Sequence, residues 1–249
     1  NREEQWEPLW VDIQEKAEIR LQGGKPVPHF MGAVVLEPQK RAGLLGVERH
    51  HIIDGQQRLT TLQYVFTALC LVLRELDQKA LLPLVENCLV NANPETMEDK
   101  EVERFKLWPT FRDREQYIKA MTAGDIDKLK ERFPDSFTRG GTLKKIGADH
   151  PPALEAICYF REVMLEWARE PDAEPLPERT SALVSAVLTD LAIVCISLGE
   201  EDDAQVIFET LNGRGAELHA TDLIRNFIFM RAGTDADDLY ATLWSQFEA

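Results

Sequence analysis

The sequence predicts an α+β fold that is predominantly helical, in which a small strand and helix core is followed by a helical bundle region. Most of the chain repeats apolar residues every three or four positions, which is the period of an amphipathic helix. Short runs rich in β-branched residues at 29–37, 47–53 and 191–198 predict strands. The 249 residues suffice for one large domain or two small ones.

The composition narrows the class of protein. With 44% hydrophobic and 29% charged residues, the chain is typical of a globular protein. Its formal net charge of −15 counts against a surface that binds nucleic acid broadly, because duplex binding draws on clustered Lys and Arg. A local basic pocket is compatible with this charge. We expect any extensive contact with DNA to lie on another domain or a partner.

The sequence predicts a cytoplasmic protein with reduced cysteines. No apolar run approaches the length of a membrane span, and no basic-then-apolar signal segment opens the sequence. The four cysteines, Cys70, Cys88, Cys158 and Cys195, each lie inside an apolar pattern and lack the spacing of a metal site. We therefore predict four core thiols and no disulfide framework.

The N-terminal part of the chain predicts a helix and then a pair of strands. An apolar stripe over 1–21 predicts the helix, in which Pro8 is tolerable only in the first turn. The strands at 29–37 and 47–53 are expected to pair as a hairpin. Near the end of that hairpin His50 and His51 are adjacent and point to opposite faces of a strand, so we do not expect them to share a metal ion.

The segment Asp-Gly-Gln-Gln-Arg at 54–58 is the strongest candidate for a functional site. Asp-Gly is a turn signal, and the apolar periodicity predicts a long helix over 59–76. The turn therefore leads into a helix N-terminus, where unpaired backbone N–H groups and the positive end of the helix dipole favour an anion such as phosphate. The Gln and Arg side chains add further donors. The alternative is that Asp54 only caps the helix while the Gln and Arg side chains point into water.

The middle of the chain predicts more helices and one irregular stretch. A polar loop is expected over 91–104, and a helix follows that ends at Met121. Arg112 and Arg114 precede that helix and are ascribed to surface ion pairs, with contact to a nucleotide as the alternative. The stretch 124–152 is the least regular and predicts a mobile loop, whose Lys and Arg residues are the best local candidates for touching nucleic acid.

The last third of the chain again predicts mainly helices. The patterns give, in order, helices over 154–168 and 179–190, a buried strand over 191–198, two helices on either side of a Gly-rich stop at 212–215, and a last helix over 240–247. By composition, the stop at 212–215 is a helix–turn–helix connection with a solvated charged face.

Two stretches resemble the motifs of a known family, the N-terminal domain of GmrSD-type restriction proteins, which has a ParB-like fold. Asp-Gly-Gln-Gln-Arg-Leu-Thr-Thr-Leu at 54–62 resembles the first motif. Ile-Phe-Glu-Thr-Leu-Asn-Gly-Arg-Gly-Ala-Glu-Leu at 207–218, with Asp-Leu-Ile-Arg-Asn at 222–226, resembles the second. The resemblance implies a ParB-like motif-bearing region over 1–76, packed as one unit with a mainly helical region over 77–249. It also implies a strand segment upstream of the first helix, which we expect to be missing here.

The resemblance implies a function in phage defence. It points to a nucleotide-binding and NTP-hydrolysing module of a prokaryotic restriction system that recognises modified DNA. The implied partners are the NTP with Mg²⁺, DNA contacted through another domain or partner, and a C-terminal HNH-type nuclease domain or subunit. No membrane partner is implied, and association into a homo-oligomer stays open. The chain has no Gly-x-x-x-x-Gly-Lys-Ser/Thr loop, so we do not expect a P-loop enzyme.

The resemblance also implies which residues form the site. Catalysis is ascribed to Asp54, Gln57 and Arg58, with Asp54 binding Mg²⁺ directly or through water, or orienting the attacking water. Nucleotide binding is ascribed to Gly55, Gln56, Gln57, Arg58, Asn212, Arg214, Gly215, Asp222 and Arg225. The members from the second motif would close the pocket or support the residues that do.

Two other functions stay open at this point. In one, the domain senses nucleotide or DNA as a regulatory switch and does not hydrolyse the nucleotide. In the other, a ParB-like domain nicks DNA itself, which would need a carboxylate metal site beside a basic DNA track. The net charge of −15 counts against a broad DNA-binding surface and therefore also against this second alternative.

Overall fold

The computed structural model describes residues 2–39, 46–109, 114–144, 150–170 and 175–199, together with residues 202, 206, 207, 239 and 242. The helices are α1 (Glu7–Leu21), α2 (Gln56–Glu75), α3 (Leu82–Glu86), α4 (Lys100–Glu103), α5 (Arg114–Met121), α6 (Ile126–Arg132), α7 (Pro152–Ala168) and α8 (Leu176–Thr189). The strands are β1 (His29–Pro38), β2 (His50–Asp54) and β3 (Leu191–Ser197). A π-helical turn at Arg2–Trp6 and 3₁₀ turns at Pro94–Thr96 and Pro134–Ser136 complete the described elements. The prediction of a predominantly helical α+β fold is confirmed.

The three strands form one mixed sheet in the order β2–β1–β3. β1 lies in the centre, antiparallel to β2 and parallel to β3. The predicted hairpin is therefore confirmed, although its second strand begins at His50 and not at residue 47. The register of β1 shifts twice, between Phe30 and Ala33 against β3 and between Val35 and Leu36 against β2. Such shifts mark β-bulges, which bend a strand and redirect its side chains.

The hydrophobic core lies among the long helices, where α2 packs against α7 and α1 packs against α8. Each of these helices buries residues at three- and four-residue steps, as their sequences predict. Side chains with no exposed surface include Ile13, Val65, Ala68, Leu69, Val72, Leu73, Leu154, Ile157, Phe160, Met164 and Leu183. Burial of each larger side chain contributes roughly 1.5–3 kcal/mol, so these helices supply most of the apolar stabilisation.

Three predictions about local structure were wrong. The stretch 124–152, which was predicted to be an irregular loop, contains α6. The Asp125 carboxylate caps this helix by accepting a hydrogen bond from the Lys128 N–H at 2.8 Å, and Leu129 is fully buried. The polar loop at 91–104 contains α4. The third strand was predicted to be buried, but Val194 of β3 is 50% exposed, and among the described strands β3 lies at one end of the sheet.

The cysteines are free thiols, as predicted, but they are not all in the core. Cys70 is buried, and burial raises the pKa of its thiol to about 12. Cys195 on β3 is exposed, so the prediction of four core thiols was wrong for this residue. Across the described ranges, no helix has the length and apolar character needed to cross a membrane.

Candidate functional site

The predicted turn connects β2 to α2 through a glycine that the fold requires. Gly55 precedes the first residue of α2 and has a φ of +95°, in the left-handed region. A Cβ at this position would lie 2.8 Å from Cγ2 of Val34 and 3.2 Å from the Ala33 carbonyl oxygen. A side chain would therefore be strained by the backbone and would also collide with β1. The turn lies directly against the central strand of the sheet.

Among the described residues, no side chain accepts a hydrogen bond from the N–H groups at the N-terminus of α2. The first backbone hydrogen bond of the helix runs from the Leu59 N–H to the Gly55 carbonyl at 3.1 Å. The N–H groups of residues 56–58 precede that bond and emerge at the helix end. The capping alternative for Asp54 is therefore not what the structure shows. A helix of 20 residues adds the positive end of its dipole at the same place, which favours an anion.

Arg58 folds back onto the sheet. Its Nη1 donates a hydrogen bond to the Ala33 carbonyl oxygen and lies 3.4 Å from Oδ2 of Asp54. The side chains of Arg58 and Asp54 are 39% and 27% exposed, so solvent reaches both groups. Arg58 thus joins α2, β1 and the end of β2, and its guanidinium is held beside the uncapped helix N-terminus.

The two glutamines of the turn are placed differently from the arginine. Gln56 is half-buried and Gln57 is exposed. Among the described residues, neither amide side chain has a hydrogen-bond partner. Both are therefore available as donors to a ligand at the start of α2.

The residues predicted from the second motif, Asn212, Arg214, Gly215, Asp222 and Arg225, lie outside the described residues. The predicted helix at 240–247 also lies outside them, apart from residue 242.

One residue of the second motif is described. Ile207, its first residue, packs against a small apolar cluster of Val35 and Leu198, together with Ile53 and Ile196. Ile53 directly precedes Asp54 in the chain. The second motif therefore begins beside the strand end that delivers the first.

From the sequence, a ligand contact was also considered for four other Arg and His residues, and the structure describes three of them. Arg112 lies outside the described residues, and the guanidinium of Arg114 lies 5.0 Å from the ring centre of Trp108. His50 and His51 lie 3.6 Å from different carboxylates, those of Glu48 and Glu37. Sequence reasoning missed the part of β1 that contacts Arg58. A glycine inside a strand pattern was the available signal for it.

No group of three or more His, Cys, Asp or Glu side chains that could hold a metal ion lies in the ranges that the structure describes. Asp54 offers a single carboxylate at the turn. This donor set fits Mg²⁺ that takes most of its ligands from phosphate oxygens and water, because Mg²⁺ is commonly held by one or two carboxylates together with substrate phosphates.

The fold and the turn together define an α+β domain in which a helix N-terminus lies next to a carboxylate and a guanidinium. The model of the family described as GmrSD restriction endonuclease, N-terminal domain, matches residues 2–229. This match covers most of the chain and spans both motifs, so the chain belongs to this family and is a component of a restriction system. No curated protein matches the sequence.

Proposed function

We propose that this domain binds a nucleoside triphosphate at the β2–α2 turn and hydrolyses it with Mg²⁺. In this proposal it is the nucleotide-handling module of a prokaryotic anti-phage restriction system that recognises modified DNA. The observation that supports the proposal most directly is the uncapped N-terminus of α2, with the Arg58 guanidinium held beside it. Family membership supports the restriction context.

The phosphate chain of the nucleotide would lie at the start of α2. Gly55 is buried against Val34 and lets the turn lie close to β1, and the N–H groups of residues 56–58 face the end of the helix. The amides of Gln56 and Gln57 and the guanidinium of Arg58 would donate to phosphate oxygens. Backbone and side-chain donors in this arrangement bind phosphate well because each hydrogen bond is strengthened by the negative charge.

The proposed reaction is transfer of the terminal phosphoryl group to water. A bond forms between the water oxygen and the terminal phosphorus as the bond from that phosphorus to the bridging oxygen breaks, which releases phosphate and a nucleoside diphosphate. Asp54 would orient the attacking water or help to hold Mg²⁺, directly or through water. When bound, Mg²⁺ neutralises charge on the phosphates. Arg58 would stabilise the negative charge that shifts toward the bridging oxygen.

The second motif and the partners remain part of the proposal. Asn212 and Arg214 would close the pocket, with Gly215 at the helix stop and with Asp222 and Arg225 as a supporting pair. The packing of Ile207 near Ile53 supports this arrangement, because it brings the start of the second motif to the sheet end that leads into the turn. DNA would be contacted through another domain or partner in the cytoplasm. An HNH-type nuclease domain or subunit would cleave it, and the module could act as a homo-oligomer.

The first experiment measures phosphate release from ATP, GTP, CTP and UTP with Mg²⁺ by the purified chain. Asp54→Ala and Arg58→Ala are each expected to lower the rate by about 100-fold or more, since both act on charge that develops during the reaction. Arg74→Ala is the matched control. It removes an arginine ion pair from the far end of the same helix, where Arg74 contacts Glu86 and the Gly124 carbonyl.

Circular dichroism must show that each variant is folded. If Arg74→Ala lowers the rate as much as Arg58→Ala, the loss is structural and the proposed site is wrong. If the parent chain binds a nucleotide but releases no phosphate, the domain is a nucleotide-sensing switch and the hydrolase proposal fails. If it neither binds nor hydrolyses any of the four, the nucleotide proposal fails for this chain.

A further inference from the structure

Gly32 lies in the middle of β1 with a φ of +104°, a conformation that side-chain-bearing residues rarely adopt in a strand. It falls where the pairing of β1 with β3 shifts register between Phe30 and Ala33. A glycine at such a place often marks a close approach by another group.

The group that approaches is the side chain of Arg58. A Cβ built on Gly32 would lie 2.9 Å from Nε of Arg58, 3.3 Å from its Cζ and 3.4 Å from its Cδ. The guanidinium therefore lies directly against the bare Cα of Gly32. Any side chain at this position would push the guanidinium away from the strand.

The same bulge supplies a hydrogen-bond acceptor. The Ala33 carbonyl oxygen accepts from Nη1 of Arg58, and Oδ2 of Asp54 lies 3.4 Å from the same nitrogen. Nη1 is thus committed to the protein. Within the described ranges, no partner is recorded for Nη2 of Arg58.

We propose that Gly32 is a positioning residue, whose bulge in β1 holds Arg58 so that Nη1 binds the protein and Nη2 is offered to one phosphate oxygen of the nucleotide. This inference rests on the proposed function. It assigns a role to a residue outside both motifs. It also means that Arg58 divides its two terminal nitrogens between the sheet and the ligand, which the single ammonium of a lysine cannot do in the same geometry.

A purely structural explanation must be separated from this one. A Gly→Ala change at a positive φ carries backbone strain of about 1–3 kcal/mol, whatever surrounds it. Gly23 provides a matched control, because its φ is +74° and a Cβ there would meet nothing within 4 Å. Gly23→Ala therefore carries the strain without the contact to Arg58.

The experiment is a double-mutant cycle on Gly32→Ala and Arg58→Ala, with Gly23→Ala as the control. The affinity for each of the four Mg²⁺–NTPs is measured by calorimetry, and the melting temperature of every variant by circular dichroism. Gly32→Ala is expected to weaken binding of the preferred nucleotide about tenfold, while Gly23→Ala stays within about twofold of the parent. In the Arg58→Ala background, the melting-temperature loss from Gly32→Ala should shrink, because no guanidinium remains to collide with and only the backbone strain is left.

Each result has a definite meaning. If Gly32→Ala binds nucleotide as tightly as the parent, the positioning role is wrong. If its melting-temperature loss is the same with and without the Arg58 side chain, the contact does not hold Arg58 and the inference is also wrong. If the parent binds no nucleotide, the proposed function fails, and the melting temperatures still decide by themselves whether Gly32 holds Arg58. If Gly32→Ala fails to fold, recovery of folding in the double variant supports the contact, and failure in both overturns it.

Discussion

The two ends of α2 differ in what surrounds them. From Leu62 to Leu73 nearly every side chain is buried, and Val65, Leu69 and Leu73 have no exposed surface. The first turn is different, because its side chains all keep part of their surface in solvent and no side chain caps its N–H groups. One helix thus contributes to the core at one end and to the candidate site at the other. Changes at the two ends should therefore affect different measurements.

The largest loss of stability is expected from the buried end of the helix. Leu69→Ala removes a side chain with no exposed surface and leaves a cavity in the core. The expected cost is about 2–5 kcal/mol in the free energy of unfolding, measured by urea denaturation. The control is Leu84→Ala on α3, where the leucine is 53% exposed and the cost should stay near 0.5 kcal/mol. Equal losses at the two positions would contradict the location of the core.

An intermediate effect is expected where the sheet is tied to the helical region. Glu103 is 4% exposed and accepts hydrogen bonds from Arg49, just before β2, and from the Glu98 N–H at 2.9 Å. The hydrogen bond from Arg49 lowers the pKa of the Glu103 carboxyl below its ordinary value. A lowered pKa in the folded state stabilises the fold above the unfolded pKa, and this stabilisation is lost as the pH falls through the folded pKa.

Replacement by the neutral amide tests this connection. Glu103→Gln should lower the free energy of unfolding at neutral pH by about 1–3 kcal/mol. The difference from the parent should shrink as the pH falls well below about 4.3, because Glu103 is then protonated in the parent as well. Urea denaturation across that range measures it. Glu101→Gln is the control, since Glu101 is exposed on the same helix. A difference that persists unchanged at acid pH would mean that the charge of Glu103 is not what matters.

The smallest change in stability is expected at the open end of α2. Gln57→Ala alters an exposed side chain, so the free energy of unfolding should change by no more than about 0.5 kcal/mol. Nucleotide affinity should nevertheless fall by about three- to tenfold, which corresponds to one lost hydrogen bond to a charged group. Calorimetric titration with Mg²⁺–NTP measures this. Gln22→Ala, an exposed glutamine at the end of α1, should change neither quantity. If Gln57→Ala lowered the free energy of unfolding but not the nucleotide affinity, the first turn of α2 would contribute to stability and not to binding, which would contradict the proposed site.

Local patterns predicted the part of the fold that leads into the site. The hairpin, the Asp-Gly turn and the long helix were all predicted from residues close together in the chain, and the boundaries agree within a few residues. The parallel pairing of β1 with β3 joins His29 to Leu191 and leaves no trace in a local pattern. The position of β3 at one end of the sheet, among the described strands, follows from that pairing. Helix α6 was not predicted because it is short, and the two glycines and several lysines near it are typical of a loop.

The part of the candidate site that is formed by neighbouring residues was predicted, and the part that depends on distant residues was not. Asp54, Gly55 and Arg58 lie together at the turn because they are neighbours in sequence. The contact between Arg58 and the Gly32–Ala33 bulge spans about 25 residues, and only a strand glycine hinted at it. The roles of Asn212, Arg214, Gly215, Asp222 and Arg225 stay predictions.

The central position of β1 also determines when the sheet can be completed during synthesis. Its parallel partner begins at Leu191, which is 162 positions after His29. At about 5–20 residues per second, a ribosome needs roughly 8 to 32 seconds to proceed from His29 to Leu191. Until then β1 can pair with β2 only, and Val35 has no β3 beside it. The nascent chain therefore carries an unpaired edge beside its candidate site until β3 has been made, and truncated products that end before Leu191 should be prone to aggregation.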